Sequence, residues 1–316
     1  MTKIGKNIEQ AAEWLTSGEV IGIPTETVYG LAGNALNEDS ILKIFKVKNR
    51  PFFDPLIVHV ADLNSARKFV KEIPDLAEKL FEKFSPGPLT ILLERNHLIP
   101  DLITAGSEKV AIRIPNHPLT LELLNKIDFP LAAPSANPFG YVSPTSATHV
   151  AEQLGNQIEY ILDGGDSTVG LESTIVSVTS NVIKVHRLGG ISVEDLKTVC
   201  NNIELEINVS SNPQAPGQLK SHYATRTPLI IIPSDDDSII TEKNSAYIGF
   251  NKKTNLFPSE HQYLLAPDAS LETAAKNLFA TMRRLDKLNY KFIYTSLLPE
   301  VGLGCAINDR LKRAAS

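Results

Sequence analysis

The chain has 316 residues, a length more typical of two globular domains than of one. Apolar residues make up 42% and charged residues 21%, which provides enough apolar material for two cores. The formal net charge of -5 argues against a protein that coats nucleic-acid backbone, and we expect no stable nucleic-acid binding.

Cysteine usage and the lack of long apolar stretches predict a soluble protein of the cytoplasm. Cys200 and Cys305 lie far apart, so they indicate neither a disulfide framework nor a zinc site. The first residues have no long apolar core of the kind found in signal peptides. No stretch approaches the roughly 18 apolar residues of a membrane span, so we expect no membrane partner.

The first half of the chain alternates helices with short apolar strands. Helices are predicted over 7–17 and from Asn37 to the residue before Pro51, with an apolar strand over 20–23 between them. Further strands are predicted at 56–60, 89–93, 110–114, 131–133, 160–162, 174–178 and 182–187. The last two flank a polar turn and predict a hairpin, so the sheet should be mixed rather than purely parallel.

A change of composition divides the chain. Residues 207–228 are rich in Ser, Asn, Pro and Gly, which predicts a linker. We therefore predict a catalytic domain over 1–206 and a smaller α/β domain over 229–316. The smaller domain has predicted strands and helices at 229–232, 246–250, 263–265, 274–285, 292–295 and 306–314.

A basic run at the end of the second helix is the first candidate anion site. It comprises Lys43, Lys46, Lys48 and Arg50, and Lys46 and Arg50 would share a helical face. Taken alone, cations at a helix C-terminus more often form a solvated, stabilising end. The common phosphate motifs GxxxxGK[ST] and GxGxxG after a strand are absent from the sequence.

Polar loops at predicted strand ends are the other candidates. Residues 24–35, 133–145 and 164–176 carry hydroxyl and amide side chains, and Arg113 and Arg187 lie on predicted strands. Each feature alone has a structural explanation, such as a local turn or a salt bridge. Together they favour binding of a polyanion and a small zwitterion, with catalysis by positioning and charge neutralisation.

These motifs occur in the order found in the YrdC-like family. They are PTETVYGL (24–31), KNRP (48–51), DPLIVH (54–59), SPGPLT (85–90), APSAN (133–137), STIV (173–176) and RLG (187–189). Pro216-Gly217, His222-Tyr223 and GLGCAINDRL (302–311) resemble the long, two-domain form of the family. The resemblance covers nearly the whole chain.

The resemblance implies a fold and a reaction. The fold is a twisted mixed α/β sheet around a basic cavity, followed by a smaller Rossmann-like domain. The activity is that of a nucleotidyltransferase: L-threonine and bicarbonate, or CO2, form a carbamate that attacks the α-phosphorus of ATP. The product, threonylcarbamoyl-AMP, serves threonylcarbamoyl-adenosine formation in tRNA, completed by a downstream tRNA threonylcarbamoyl-transfer complex.

Matching positions imply roles for individual residues. L-Threonine would be held by Thr27, His59, Arg113, Ala133 and Ser173. ATP would be held by Lys48, Arg50, Asp54, Ser135, Asn137, Ser143, Arg187, His222 and Tyr223. Lys48 and Arg50 would also be catalytic, Mg²⁺ would be held mainly by phosphate oxygens without protein ligands, and the linker would fold back as a lid. The chain departs from the family pattern at Asp54, where Asn is common.

Two other functions are compatible with parts of the sequence. One is an RNA-binding module that uses the Lys43–Arg50 patch, which the acidic balance and the lack of interleaved aromatic residues disfavour. The other is a regulatory nucleotide- or carbamoyl-binding protein on the same fold. The linker and the C-terminal domain favour the synthase, because a lid encloses a reactive adenylate away from water.

Overall fold

The structure, a computed structural model, describes residues 2–207, 223–233 and 242–316. His222 and most of the predicted linker lie outside these residues. Within them the chain forms a mixed sheet of eleven strands and a parallel sheet of four. No helix in these ranges is both long and apolar enough to cross a membrane.

The larger sheet is built by the first two thirds of the chain. Its elements in chain order are β1 (Lys3–Gly5), α1 (Ile8–Thr16), β2 (Ile21–Ile23), β3 (Gly30–Asn34), α2 (Glu38–Lys48), β4 (Ile57–His59), α3 (Leu63–Arg67), α4 (Asp75–Phe84), β5 (Leu89–Glu94), α5 (Asp101–Thr104), β6 (Lys109–Arg113), α6 (Pro118–Lys126), β7 (Leu131–Ala132), α7 (Ala147–Leu154), β8 (Tyr160–Leu162), β9 (Thr174–Thr179), β10 (Val182–Arg187), α8 (Val193–Lys197) and β11 (Ile203–Leu205).

The strand order is β1-β8-β2-β3-β7-β4-β6-β5-β9-β10-β11. The sheet contains both parallel pairs, such as β4 with β6, and antiparallel pairs, such as β5 with β6. The predicted hairpin is confirmed, because β9 and β10 pair antiparallel with Val182 opposite Thr179. The sheet is therefore mixed, as the sequence predicts.

The motif over 24–35, predicted as a polar turn, is partly a strand. Residues of β3 pair with β2 on one side and with β7 on the other. A side chain at Gly33 would meet Val20 and Ile44 at 3.1 and 3.2 Å, so glycine permits the close approach of these neighbours. Small residues give little apolar alternation, which explains why the sequence pattern does not reveal this strand.

The smaller sheet is parallel throughout. Its unit contains β12 (Leu229–Ile231), β13 (Ala246–Gly249), a 3₁₀ turn (Ser259–His261), β14 (Gln262–Leu264), α9 (Leu271–Asp286), β15 (Ile293–Thr295) and α10 (Leu303–Ala314). The strand order is β12-β15-β13-β14. Helices that connect parallel strands must pack on the sheet, and α9 buries Leu278, Phe279 and Met282 in doing so.

One apolar cluster joins the two units. Phe279 of α9 and Leu311 of α10 belong to the same buried cluster as Val28, Val142 and Leu171 of the larger unit. All five side chains are less than a tenth exposed. The two helices therefore pack against the loops that follow the strands of the larger sheet, and those loops also form the candidate site.

Candidate functional site

A cavity opens where loops of the larger unit meet Tyr223, a residue of the predicted linker. Its lining is dominated by hydroxyl, arginine and small side chains, with one histidine and one carboxylate among the described residues. The lining residues are Thr25, Thr27, Val28, Gly30, Arg50, Pro55, Ile57, His59, Arg113, Ala133, Pro134, Ser135, Glu172, Ser173, Arg187 and Tyr223. Three arginines in one cavity make it suited to an anion of high charge.

Arg50 reaches the cavity because α2 ends before it. Helix α2 stops at Lys48, and Asn49 closes it in the left-handed conformation with φ 51°, which asparagine tolerates well. Arg50 thus lies beyond the helix, so the prediction that it shares a helical face with Lys46 is wrong. Lys46 is exposed, whereas the side chain of Arg50 is buried.

The guanidinium of Arg50 is fixed by the loop that follows it. Its Nε donates to the carbonyl of Asp54 at 3.1 Å and its Nη2 to the carbonyl of Pro55 at 2.7 Å. The carboxylate of Asp54 forms an ion pair with Nη2 at 2.9 Å. Burial lowers the pKa of Arg50, and the charge of Asp54 opposes this. Asp54 therefore supports the arginine from behind rather than lining the cavity.

Lys48 lies under the loop that carries the Ser-x-Asn motif. Its Nζ donates to the carbonyl of Ser135 and, at 2.6 Å, to that of Asn137. Burial moves the pKa of Lys48 well below its usual range. The amide of Asn137 donates to the carbonyl of Tyr141 at 2.8 Å, while its buried Oδ1 has no partner within the described part of the chain. Lys48 thus organises this loop without lining the cavity.

Arg113 is held from one side only. Its Nη2 donates to Oε1 of Glu26 and to Oγ1 of Thr27, both at 2.8 Å. Its buried Nε has no hydrogen-bond partner among the described residues. Buried polar groups are nearly always satisfied, so the Nε–H of Arg113 is suited to donate to a ligand carboxylate.

His59 lies opposite Arg113 in the pairing of β4 with β6. The side chain is buried, and its Nδ1 has no hydrogen-bond partner in the ranges that the structure describes. Burial, reinforced by the charge of Arg113, lowers the pKa of His59 to about 3. The imidazole is therefore neutral at physiological pH and can contribute a hydrogen bond but no charge.

A β-bulge directs Arg187 into the cavity. The register of β9 and β10 shifts between Val185 and Arg187, and bulges of this kind redirect side chains. Nε and Nη2 of Arg187 donate to the carbonyl of Ser173 at 3.0 and 2.9 Å. The hydroxyl of Ser173 lies 2.7 Å from that of Thr90. Burial lowers the pKa of Arg187 to about 10, which leaves it charged at neutral pH.

The predicted site residues fall into two groups. Those that line the cavity are Thr27, Arg50, His59, Arg113, Ala133, Ser135, Ser173, Arg187 and Tyr223. Those behind its wall are Lys48, Asp54, Asn137 and Ser143. His222 lies outside the described residues, and the role of each residue stays a prediction.

Two buried carboxylates of the site are not among the predicted residues. Glu26 pairs with Arg113, and Glu172 pairs with Arg310 of α10 at 3.1 Å. They lie in the polar loops 24–35 and 164–176. An acidic residue within a loop that otherwise suits anion binding is the signal that could have identified them. Each carboxylate offsets the charge of a buried arginine.

Comparison with known proteins places this architecture in a family. A family model described as "Telomere recombination", which groups the Sua5, YciO and YrdC proteins, matches residues 13–189. A second, described as "Threonylcarbamoyl-AMP synthase, C-terminal domain", matches residues 191–316. A mixed sheet around an arginine-lined cavity, followed by a parallel α/β unit, defines the two-domain class. The chain belongs to the Sua5, YciO and YrdC family.

Individual relatives match over nearly the full length. The threonylcarbamoyl-AMP synthase of Pyrococcus abyssi is 36% identical, with 98% of this chain and 94% of the relative covered. That of Bacillus subtilis is 38% identical, with 98% and 92% covered. The crystal structure of P. abyssi Sua5 complexed with L-threonine has a TM-score of 0.92 at 34% identity, covering 100% of this chain and 97% of that one.

Proposed function

We propose that this chain is a threonylcarbamoyl-AMP synthase of the cytoplasm that uses L-threonine, bicarbonate (or CO2) and ATP. The observation that carries the proposal is a cavity with three arginines, in which Nε of Arg113 and Nδ1 of His59 have no hydrogen-bond partner among the described residues. Relatives of that name, and one solved with L-threonine, support it.

L-Threonine occupies the end of the cavity near β4 and β6. Nε of Arg113 donates to the substrate carboxylate, because Nη2 is already engaged by Glu26 and Thr27. Neutral His59 offers Nδ1 for a hydrogen bond to the amino acid. Ser173 and the backbone of Ala133 complete this subsite.

ATP occupies the end between Arg50 and Arg187. The two guanidinium groups bind the phosphates, and each is held by backbone carbonyls, so little reorganisation is needed on binding. Ser135 and Tyr223 line the cavity and contact the nucleotide, whereas Asn137 and Ser143 support this subsite from behind its wall. Lys48 and Asp54 act from behind, by fixing the Ser135 loop and the Arg50 side chain.

The reaction forms two bonds in sequence. The amine of L-threonine attacks the carbon of bicarbonate, which forms the carbamate C–N bond and releases water. A carbamate oxygen then attacks the α-phosphorus of ATP as the bond to the bridging oxygen breaks and pyrophosphate leaves. Arg50 and Arg187 stabilise the negative charge that grows on the departing pyrophosphate, and the cavity aligns the two substrates.

ATP enters as its magnesium complex. Among the described residues, no group of three or more His, Cys, Asp or Glu side chains could hold a metal ion. The buried carboxylates Glu26, Asp54 and Glu172 are each paired with an arginine. Such a site suits Mg²⁺ that arrives on phosphate oxygens, where it neutralises charge.

The test is pyrophosphate release by the purified protein with ATP, Mg²⁺ and bicarbonate, in the presence or absence of L-threonine. We expect release that depends on L-threonine, together with the mass of threonylcarbamoyl-AMP. D-Threonine serves as the control for recognition by Arg113 and His59. ATP binding without threonine-dependent release would contradict the proposal and favour a regulatory nucleotide-binding protein. If the proposal holds, the adenylate passes to partner proteins that modify tRNA.

A further inference from the structure

Helix α10 places a fully buried arginine against the loops of the cavity. The side chain of Arg310 has 0% exposure, and its Nε donates to Oε2 of Glu172 at 3.1 Å. Its Nη2 donates to the carbonyl of Leu188 at 2.7 Å. Leu188 directly follows Arg187, so this guanidinium contacts two segments that line the proposed ATP subsite.

The contact continues through Glu172 to Ser143. Oε1 of Glu172 accepts a hydrogen bond from Oγ of Ser143 at 2.6 Å. The carbonyl of the same serine accepts a second bond, at 3.0 Å, from Nε of Arg283 in α9. The side chain and the backbone of Ser143 are therefore both fixed from the C-terminal unit.

Tyr223, which belongs to the predicted linker, rests on the same two helices. Its ring stacks on Phe279 with centroids 5.5 Å apart, and the guanidinium carbon of Arg310 lies 5.3 Å from the ring centroid. Tyr223 also lines the cavity. Arg310 thus contacts Glu172 and Tyr223, which line the cavity, and is linked to Ser143 through Glu172.

We infer that Arg310 is a positioning residue for ATP: it fixes the carboxylate of Glu172, which lines the cavity and holds the hydroxyl of Ser143 behind the wall, and through the carbonyl of Leu188 it anchors the segment that carries Arg187. The inference rests on the proposed function. It means that the ATP subsite is shaped by a residue of the C-terminal unit that lies more than 100 positions from its partners Glu172 and Leu188.

Holding the two units together is not a sufficient explanation for Arg310. The apolar cluster of Val28, Val142 and Leu171 with Phe279 and Leu311 already joins them. A buried ion pair contributes little net stability compared with apolar packing, whereas it fixes geometry well. Arginine also offers several donors in a rigid plane, and Arg310 uses Nε, Nη1 and Nη2 on separate partners.

The experiment compares Arg310→Met and Arg310→Lys with the wild-type protein in steady-state kinetics of threonine-dependent pyrophosphate release. We expect the KM for ATP to rise about 10- to 100-fold for Arg310→Met, the range seen when a supporting residue behind a ligand contact is lost. The KM for L-threonine should stay within about twofold, because the threonine subsite has its own supports. Arg310→Lys keeps the charge but not the planar donors, and should show an intermediate rise.

A double-mutant cycle tests the route through Glu172. If Arg310 acts through this carboxylate, Glu172→Gln combined with Arg310→Met should raise the KM for ATP no more than the worse single change. Lys287→Met is the matched control, since Lys287, directly after α9, pairs at 2.6 Å with Glu152 of the larger unit on the surface. That variant removes a contact between the units and should leave both KM values unchanged.

Several outcomes would overturn the inference. One is a fall in kcat proportional to the loss of folded protein, with both KM values unchanged. Another is full additivity of Arg310→Met and Glu172→Gln. If Arg310→Met does not fold, Arg310→Lys with a wild-type KM for ATP would overturn it equally. If the wild-type protein makes no adenylate, the proposed function fails, and calorimetric ATP affinities of the same variants still decide the role of Arg310.

Discussion

The two sides of the cavity are held in place by different parts of the chain. On one side, Arg50 is fixed by Asp54 and Pro55, which lie within five positions of it. On the other, Ser143 and Glu172 are fixed by Arg283 and Arg310 of the C-terminal helices. The first can be called the locally held side and the second the cross-domain side.

This difference separates two ways of preparing a site for a polyanion. The locally held side depends on a short loop, so the residues that determine its geometry are close to Arg50 in the sequence. The cross-domain side is complete only when α9 and α10 are docked. Substitutions near Arg50 should therefore act on the site directly, whereas substitutions in the helices should act on it from a distance.

The largest effect is expected on the locally held side. Arg50→Ala should lower the rate of threonine-dependent pyrophosphate release by about 100-fold or more, because a preorganised charge at the leaving group is lost. Arg50→Lys, which keeps the charge beside buried Asp54, should lose less. Exposed Lys46, changed to Ala, is the control and should remain within about twofold of wild type. A rate for Arg50→Ala close to wild type, with the fold retained, would remove Arg50 from the catalytic set.

Arg113→Lys should have the next largest effect, and this effect should be confined to the KM for L-threonine. A lysine cannot both pair with Glu26 and present a second donor to a carboxylate, so a charged hydrogen bond worth about 1.5–3 kcal/mol is lost. The KM for L-threonine should rise about 10- to 100-fold while that for ATP changes little. Lys109→Ala, at the exposed start of the same strand, is the matched control. Equal rises in both KM values would contradict a threonine-specific role.

His59 should make stability fall as the pH falls. Its folded pKa is about 3, below the ordinary value of 6.5, so below pH 6.5 the unfolded chain takes up a proton that the folded chain does not. The stabilisation is therefore present above pH 6.5 and is lost toward pH 3. Urea unfolding between pH 6 and 4 should show a slope smaller by about 1.4 kcal/mol per pH unit in His59→Gln. If the slope of unfolding free energy against pH is the same in His59→Gln as in the wild type, His59 is charged in the folded protein at these pH values. The control is His97→Gln, because His97 is exposed.

The smallest effect is expected from the surface contact on the cross-domain side. Lys287→Met breaks the ion pair with Glu152, but exposed pairs contribute at most about 1 kcal/mol. Thermal unfolding should therefore shift only slightly. A large loss of stability would show that the units are joined mainly at their surface and not through the apolar cluster and the buried arginines.

Much of the fold follows from the sequence because apolar periodicity marks it. The hairpin of β9 and β10, the helix opened by Asn37 and the parallel strands of the smaller unit all carry strong local patterns. Strand β3 escapes prediction because its small residues carry no alternation. The position of Arg50 escapes because a left-handed Asn49 ends α2 at Lys48, two residues earlier than predicted.

The site is predictable where its residues share a motif and unpredictable where they do not. Most predicted residues do meet around one cavity. Arg310 and Glu172 meet only through folding, 138 positions apart, and no local pattern in either segment indicates the other. Lys48 shows the reverse case, because its motif suggests a ligand contact whereas its ammonium group binds the carbonyls of the Ser135 loop.

The ion pair of Arg310 and Glu172 also constrains how this protein can diverge. A change at either position alone leaves a buried charge without its partner, so we expect the two positions to vary together across descendants. A graft that joins this larger unit to the C-terminal unit of a distant relative should fail unless the pair is transferred intact. Selection would therefore act jointly on two positions that lie 138 residues apart in the sequence.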